Sequence, residues 1–467
     1  MGRTALLSRK SPEQAIAPLY HEGWPDNRVR QAFPDNPRVR IAHLLRRAGF
    51  GGDRATLDEY AAIGIDGAVD RLLSYEQATD DPADRIPTPR FPLGQKTEIA
   101  AAVGQLQQWW LQRMAVTSRP LLEKMVLFWH GHLTSGVSKV RLPELMRRQN
   151  EFFRQNATGA FDTILRGISR DAAMMVWLDN ATNRKQRPNE NYARELMELF
   201  SMGEGEYTEQ DVKEVARAFT GWTIDRRTGE FVELRNQHDA GPKTVLGHTG
   251  NLDGDDVIDI IVRHPAAGPF ISRELFSFFA YPNPDPDVLQ PISDAYYRSG
   301  FSVKETLRAI LTSDAFFSDQ AYRARVKSPT EFVVGIVSTL GLKTDFTGMP
   351  LRLARMGQAL FDPPSVGGWP GGPAWINTST WMERMNLLHS LSTAPAQAIQ
   401  GLPEFIEALN GRPGPAAVDT MVALLLDGDI SSGARQVLLD FAGSRLTAAR
   451  ARDLLYLVLG SPEYQLA

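Results

Sequence analysis

The sequence has no cysteine among its 467 residues and only eight histidines. The first absence removes disulfides, thiolate catalysis, Cys-ligated zinc and iron–sulfur clusters. Any metal site must be built from His, Asp or Glu. An excess of basic charge is also missing: 51 Lys and Arg stand against 55 Asp and Glu, a formal net charge of −4. That balance argues against a partner held by phosphate neutralisation, so no nucleic acid is expected. No apolar run reaches the roughly 18 residues of a membrane-spanning helix, so no transmembrane segment is expected. The start, MGRTALLSRKSPEQAIAP, lacks a signal-peptide apolar region, since Ala5-Leu6-Leu7 is its longest apolar stretch. The expectation is a cytoplasmic protein, with export alongside a signal-bearing partner as the alternative. Missing too are a G-x-S-x-G elbow, an H-E-x-x-H helix, a P-loop, a dinucleotide fingerprint and a calcium-binding loop.

What is present is ordinary globular composition, 43% hydrophobic and 23% charged, patterned mostly as helix. Ile99, Val103, Leu106, Trp110 and Met114 fall on one stripe, and so do Phe161, Ile164, Leu165 and Ile168. Helix starts are signed at Thr208–Asp211, Ser302–Glu305 and Ser328–Glu331, each a Ser or Thr followed three residues later by an acid. The last of these helices is expected to end near Gly341. A short helix is expected after Ser11-Pro12. Residues 222–250 break the helical pattern, with a turn at 225–229 and a strand over 230–234. The Gly- and Pro-rich stretch 361–376 is a constrained loop. The expected fold is mainly α, one large helical domain with a small β-hairpin insertion near 222–250. The expected layout is an irregular arm over 1–37, a main helical domain over 38–395, and a C-terminal helical segment over 396–467 packed on it.

Candidate chemistry lies in four places. His130 and His132 can ligate a divalent metal if the chain is extended or turns there; on a helix, two positions apart face roughly 200° apart and cannot share a site. The plainer reading is an aromatic plug at a helix end. The second place is Pro188–Leu199. Glu190 and Arg194 are an i, i+4 pair, and Asn191, Glu195 and Glu198 form a polar stripe beside the apolar Tyr192, Leu196 and Leu199. Glu195 borders the apolar side, where desolvation favours acid–base use; the plain alternative is a solvated face. The third place groups His238, Asp239 and Lys243 around the Gly241-Pro242 turn, which suits a general base with an anion-stabilising cation, or a charged surface turn. The fourth is the loop bearing Trp369 and Trp375, able to stack a sugar ring or to pin the loop to the core.

Read in order, the segments 43–52, 124–136, 178–222, 238–247 and 360–376 resemble an uncharacterised bacterial family catalogued as domain of unknown function 1800. The block PNENYARELMELF is the most specific of them. The resemblance spans roughly residues 40 to 390, with the C-terminal part less distinct. It maps family motif positions onto Trp129, His130, His132, Asp179, Asn180, Asn189, Glu190, Asn191, Tyr192, Arg194, Glu195, His238, Asp239, Lys243, Gly368, Trp369 and Pro370, without a catalytic role for any. It implies, as a partner, a neighbour protein related to sulfatases and alkaline phosphatases.

Three readings of function follow. In the first, a hydrolase or lyase acts on an envelope polysaccharide or another anionic polymer. Its cleft joins Glu190, Arg194, Glu195, His238, Asp239 and Lys243 as catalytic groups, and Asn189, Asn191, Tyr192, Trp369 and Trp375 as substrate contacts. His130 and His132 would hold any metal, and no cofactor is otherwise called for. In the second, the chain is a non-catalytic partner or export companion of the sulfatase-like neighbour. In the third, the polar motifs are buried networks that specify the fold.

Overall fold

A computed structural model describes residues 32–95, 97–393 and 399–467. The expected arm over 1–37, with its helix after Ser11-Pro12, lies almost wholly outside them, as does the expected boundary at 395/396. The fold is mainly α, 60% helical, with two small antiparallel two-stranded sheets.

Helices α1 (Pro37–Arg47), α2 (Arg54–Ala62) and α3 (Gly64–Leu73) lead into a central group. That group holds α4 (Ile99–Val116), α5 (Pro120–His132), the single turn α6 (Val137–Val140), α7 (Pro143–Gln155), α8 (Phe161–Ser169) and α9 (Ala172–Trp177). Next come α10 (Glu190–Met197), which runs on as a π turn over Glu198–Met202, and α11 (Glu209–Ala218). After the β insertion follow α12 (Gly254–Arg263), α13 (Ala267–Phe279), α14 (Pro286–Arg298), α15 (Val303–Leu311), α16 (Pro329–Thr339), α17 (Met349–Arg355) and α18 (Thr378–Thr393). Helices α19 (Leu402–Glu407), α20 (Gly414–Leu425), α21 (Ser432–Ala442), α22 (Ala448–Leu459) and α23 (Pro462–Gln465) close the described chain.

The starts read from sequence form as expected. Thr208 and Asp211 make a capping box, as do Ser328 and Glu331, and Ser302 accepts from the Glu305 amide. Helix α16 stops at Thr339 and leaves through Gly341, whose φ is +62°. The insertion holds two hairpins rather than one. Strand β1 (Trp222–Ile224) pairs with β2 (Phe231–Glu233), and β3 (Lys243–Val245) pairs with β4 (His248–Gly250). All four strands are three residues long, and the second pair escapes a sequence reading because Lys243–Gly250 carries too little apolar alternation. The His238–Pro242 turn is the connection between the two hairpins.

The apolar stripes meet in one connected core that takes in residues from α1 through to Tyr464. Trp110 and Trp129 are fully buried there, each contributing about 2–3 kcal/mol by burial alone. The stripe on α8 is buried throughout. The stripe on α4 is not: Leu106, Trp110 and Met114 are covered, but Ile99 and Val103 at its N-terminal end remain half-exposed. Within the core, Glu123 accepts from Trp110 Nε1, Arg113 Nε and Arg154 Nε and Nη2 at 2.8–3.1 Å, tying α4, α5 and α7 together. Burial would raise this carboxyl's pKa, but Arg154 and Arg113 hold it below the usual range.

Candidate functional site

Helix α5 does not stop before Gly131; it runs through His132, so the two histidines take opposite directions. His130 points at Trp110, Phe361 and Trp369, with ring centroids 5.2–5.4 Å away. Its Nε2 accepts the Phe361 amide at 2.8 Å. His132 lies instead against Phe128, stacked at 5.4 Å, and beside Phe270 and Phe200. Its Nε2 donates to the Phe200 carbonyl at 3.0 Å. Burial pushes His130 down to about 3 and His132 down to about 4, so both rings are neutral. The metal expected on this pair therefore has no shared site. Among the described residues no group of three or more His, Asp or Glu side chains could hold a metal ion.

The Pro188–Leu199 block is committed to its neighbours. Asn189 caps α10, accepting from the Asn191 amide at 3.0 Å, and its Nδ2 donates to the Asp179 carbonyl. Asn191 Nδ2 donates to the Leu178 carbonyl. Tyr192 is buried, with its hydroxyl 2.5 Å from Ser169 Oγ, and burial raises its pKa. Arg194 forms two bonds with Glu209 on α11, 2.7 and 2.9 Å, and keeps only a 3.9 Å contact with Glu190. Glu195 is half-buried and is not without an interaction either. The loop before α10 turns on Asn183, fully buried, whose side chain donates to the Ala216 carbonyl and accepts from the Asn189 amide. Its own carbonyl accepts from the Gly221 amide. Asn183 thus ties this block to the β insertion.

The third group is assembled and partly open. His238 donates from Nδ1 to the Thr220 carbonyl at 2.9 Å, which fixes the tautomer and leaves Nε2 as the lone-pair nitrogen of a half-buried ring. Asp239 accepts two bonds from Arg217 and one from the Gly241 amide, and Arg217 holds its carboxyl below the usual range. Lys243 is buried, with Nζ donating to the Gly241 carbonyl at 3.1 Å, and burial lowers its pKa. Arg217 also binds Glu214 at 2.7 Å. Sequence reading missed Arg217, Glu214 and Thr220 because they lie on or just past α11, with bonds to the turn and to β3 that span 22, 30 and 19 residues.

The Trp loop sits on the end of α5. A Cβ on Gly368, whose φ is +78°, would lie 2.2 Å from the Gly131 carbonyl oxygen. Gly368→Ala is accordingly expected to cost at least about 1–3 kcal/mol and to expose Trp369, read as a lowered urea midpoint with red-shifted tryptophan emission. Unchanged stability would mean the loop is not closed on Gly131. Trp369 is half-buried on His130, while Trp375 is buried, its carbonyl accepting from Thr380.

Three motif blocks therefore converge around α6. The turn at Leu360–Asp362 is clamped by four bonds: Gln107 to the Leu360 carbonyl, His130 from the Phe361 amide, Val137 to the Phe361 carbonyl, and Asp362 Oδ1 from the Ser138 amide. Lys139 then bridges to the Trp177 carbonyl and Asp179. Three non-glycine residues here adopt left-handed backbone: Arg141, Asp179 and Phe361, at φ +57°, +61° and +66°. Such conformations cost energy and persist only where surrounding structure imposes them. Beside this cluster lies an open groove of about 740 Å³ between the start of α4 and α6. Ile99, Ala100, Val103, Val137, Ser138 and Arg141 line it.

The model of a family described as protein of unknown function, DUF1800, matches residues 43–466. The chain belongs to this family. The match runs past the limit near 390 read from the motifs, so this DUF1800 chain carries the family's pattern through its C-terminal helices as well. No curated protein matches it, and no solved structure does. Among the described residues no helix is long and apolar enough to cross a membrane.

Proposed function

We propose that this chain is a non-catalytic companion that binds another protein along the groove between α4 and α6. The partner fitting the family resemblance is a sulfatase- or alkaline-phosphatase-like neighbour. One observation carries the reading: the motif side chains around the groove are spent on fixing its wall, while the apolar stripe of α4 continues into the groove only partly covered at Ile99 and Val103. Walls held by His130, Asp362, Lys139 and Asp179 give a preformed surface, which lowers the ordering cost of association. Arg141 and Glu98 in the lining add one charge of each sign for polar groups on the partner. A companion of this kind would travel with a signal-bearing partner.

The test is co-expression of the two proteins with an affinity tag on the neighbour. The full chain is expected to co-purify, and Ala100→Arg, at an exposed helical position lining the groove, is expected to abolish this while the protein stays folded. Co-purification equal for both forms would defeat the assignment of the groove.

A second reading has its own observation. His238 precedes Asp239, which Arg217 grips, on the same turn as Lys243, a grouping suited to a base with nearby cations for an anionic substrate such as an acidic polysaccharide. It requires that His238→Ala abolish depolymerisation without changing the melting temperature; a purified chain inactive on acidic polymers would remove it.

A further inference from the structure

A buried cavity, lined in part by the 43–52 motif block, lies where α1, α16 and the C-terminal segment meet. Arg46, Lys327, Glu331, Asp427 and Tyr464 line it. Its lining holds two cations and two carboxylates, and the cations Arg47, Lys124 and Arg325 packed beside it tip the surrounding charge to positive. Arg46 pairs with Asp427 at 2.6 Å, and Glu331 serves both Lys124 and, at 3.6 Å, Arg325. Two cations are left without a carboxylate. Arg47 is fully buried and donates from Nη2 to the Ala321 carbonyl, while its Nε and Nη1 have no partner among the described residues. Lys327, 5% exposed, lies over the Tyr464 ring at 3.6 Å from its centroid, and among the described residues donates a hydrogen bond only to the Tyr464 carbonyl, at 2.7 Å. The Tyr464 hydroxyl, also buried, has no partner among the described residues. Taking unpaired charges and hydrogen-bond donors out of water is costly, and a bound counter-ion is the direct remedy. The accessible space is about 30 Å³, which suits a small ion and not a nucleotide.

We propose that this cavity takes one inorganic oxyanion, phosphate or sulfate, bound by the Lys327 ammonium and the Tyr464 hydroxyl, with Arg47 supplying further balancing charge. The anion joins α1 and α16 to the end of the chain, so it acts as a structural ligand that holds the C-terminal segment in place. Arg384 strengthens the same junction by donating to the Lys327 carbonyl and to Gln465.

Two measurements on the full chain test this. Ion chromatography of acid-denatured protein, purified without phosphate or sulfate and with either added back before desalting, reads retained anion. Thermal unfolding in phosphate, in sulfate and in chloride at matched ionic strength reads exchangeable anion. The expected result is near-stoichiometric release of one oxyanion, or a saturable rise in melting temperature over chloride. The concentration for half the effect should rise at least tenfold in Lys327→Met and in Tyr464→Phe. Where Lys327→Met does not fold, Tyr464→Phe decides. No released oxyanion together with no difference from chloride overturns the proposal, as does an effect unchanged in the folded variants.

Discussion

Replacing Glu123 by Gln is expected to destabilise the protein by about 3–5 kcal/mol, read as a drop in the urea midpoint or a failure to accumulate soluble protein. Glu123, on α5, is fully buried and answers two guanidiniums and an indole from two other helices, α4 and α7. The amide keeps the shape but removes the charge, so Arg113 and Arg154 stay in the core without their carboxylate. Arg113 retains Asp84 and the Ala83 carbonyl, and Arg154 retains Glu151, which limits the loss to this range rather than a larger one. A change below about 1 kcal/mol would show that water reaches the network and screens it.

Acid is expected to unfold the protein in a window set by two histidines. In the unfolded chain each imidazole takes its proton near its ordinary value of 6.5. In the folded protein burial holds His130 to about 3 and His132 to about 4. Between those values the unfolded state binds more protons, so stability is complete above 6.5 and falls as pH drops towards 4 and then 3. Each ring contributes about 1.4 kcal/mol per pH unit. His132 keeps partial exposure and a bond to Phe200 that favours its charged form, so its share is the smaller. Together the loss by pH 4 is on the order of 5 kcal/mol. Denaturant titrations from about pH 7 to pH 4 should show this slope, and His130→Gln with His132→Asn should flatten it. Parallel slopes for the two proteins would mean that carboxylates, not these rings, govern acid stability.

How much of this was legible in the sequence depends on the range of each interaction. Caps such as Ser328–Glu331 and stripes such as Phe161–Ile168 follow from neighbours three and four residues apart, so the helical fold reads directly. The divergence of His130 and His132 was legible too, as the condition that a helix would separate them; what the spacing could not supply was where the helix ends. Their partners, Phe361 and Phe200, lie 231 and 68 residues away, beyond any local pattern. Asp362 was inside a quoted motif yet unremarked, because its function depends on the amide of Ser138. The same distance hid Arg217 from the His238 turn, and the Glu123 network from every motif.

The most direct test of the companion reading is calorimetric titration of the purified sulfatase-like neighbour into the full chain and into Ala100→Arg. Binding with a negative heat-capacity change is predicted for the first, as apolar surface at Ile99 and Val103 is covered, and at least a tenfold weaker affinity for the second, with an unchanged urea midpoint. Equal affinity for both, or no binding at all alongside turnover of an acidic polymer that His238→Ala abolishes, would contradict it.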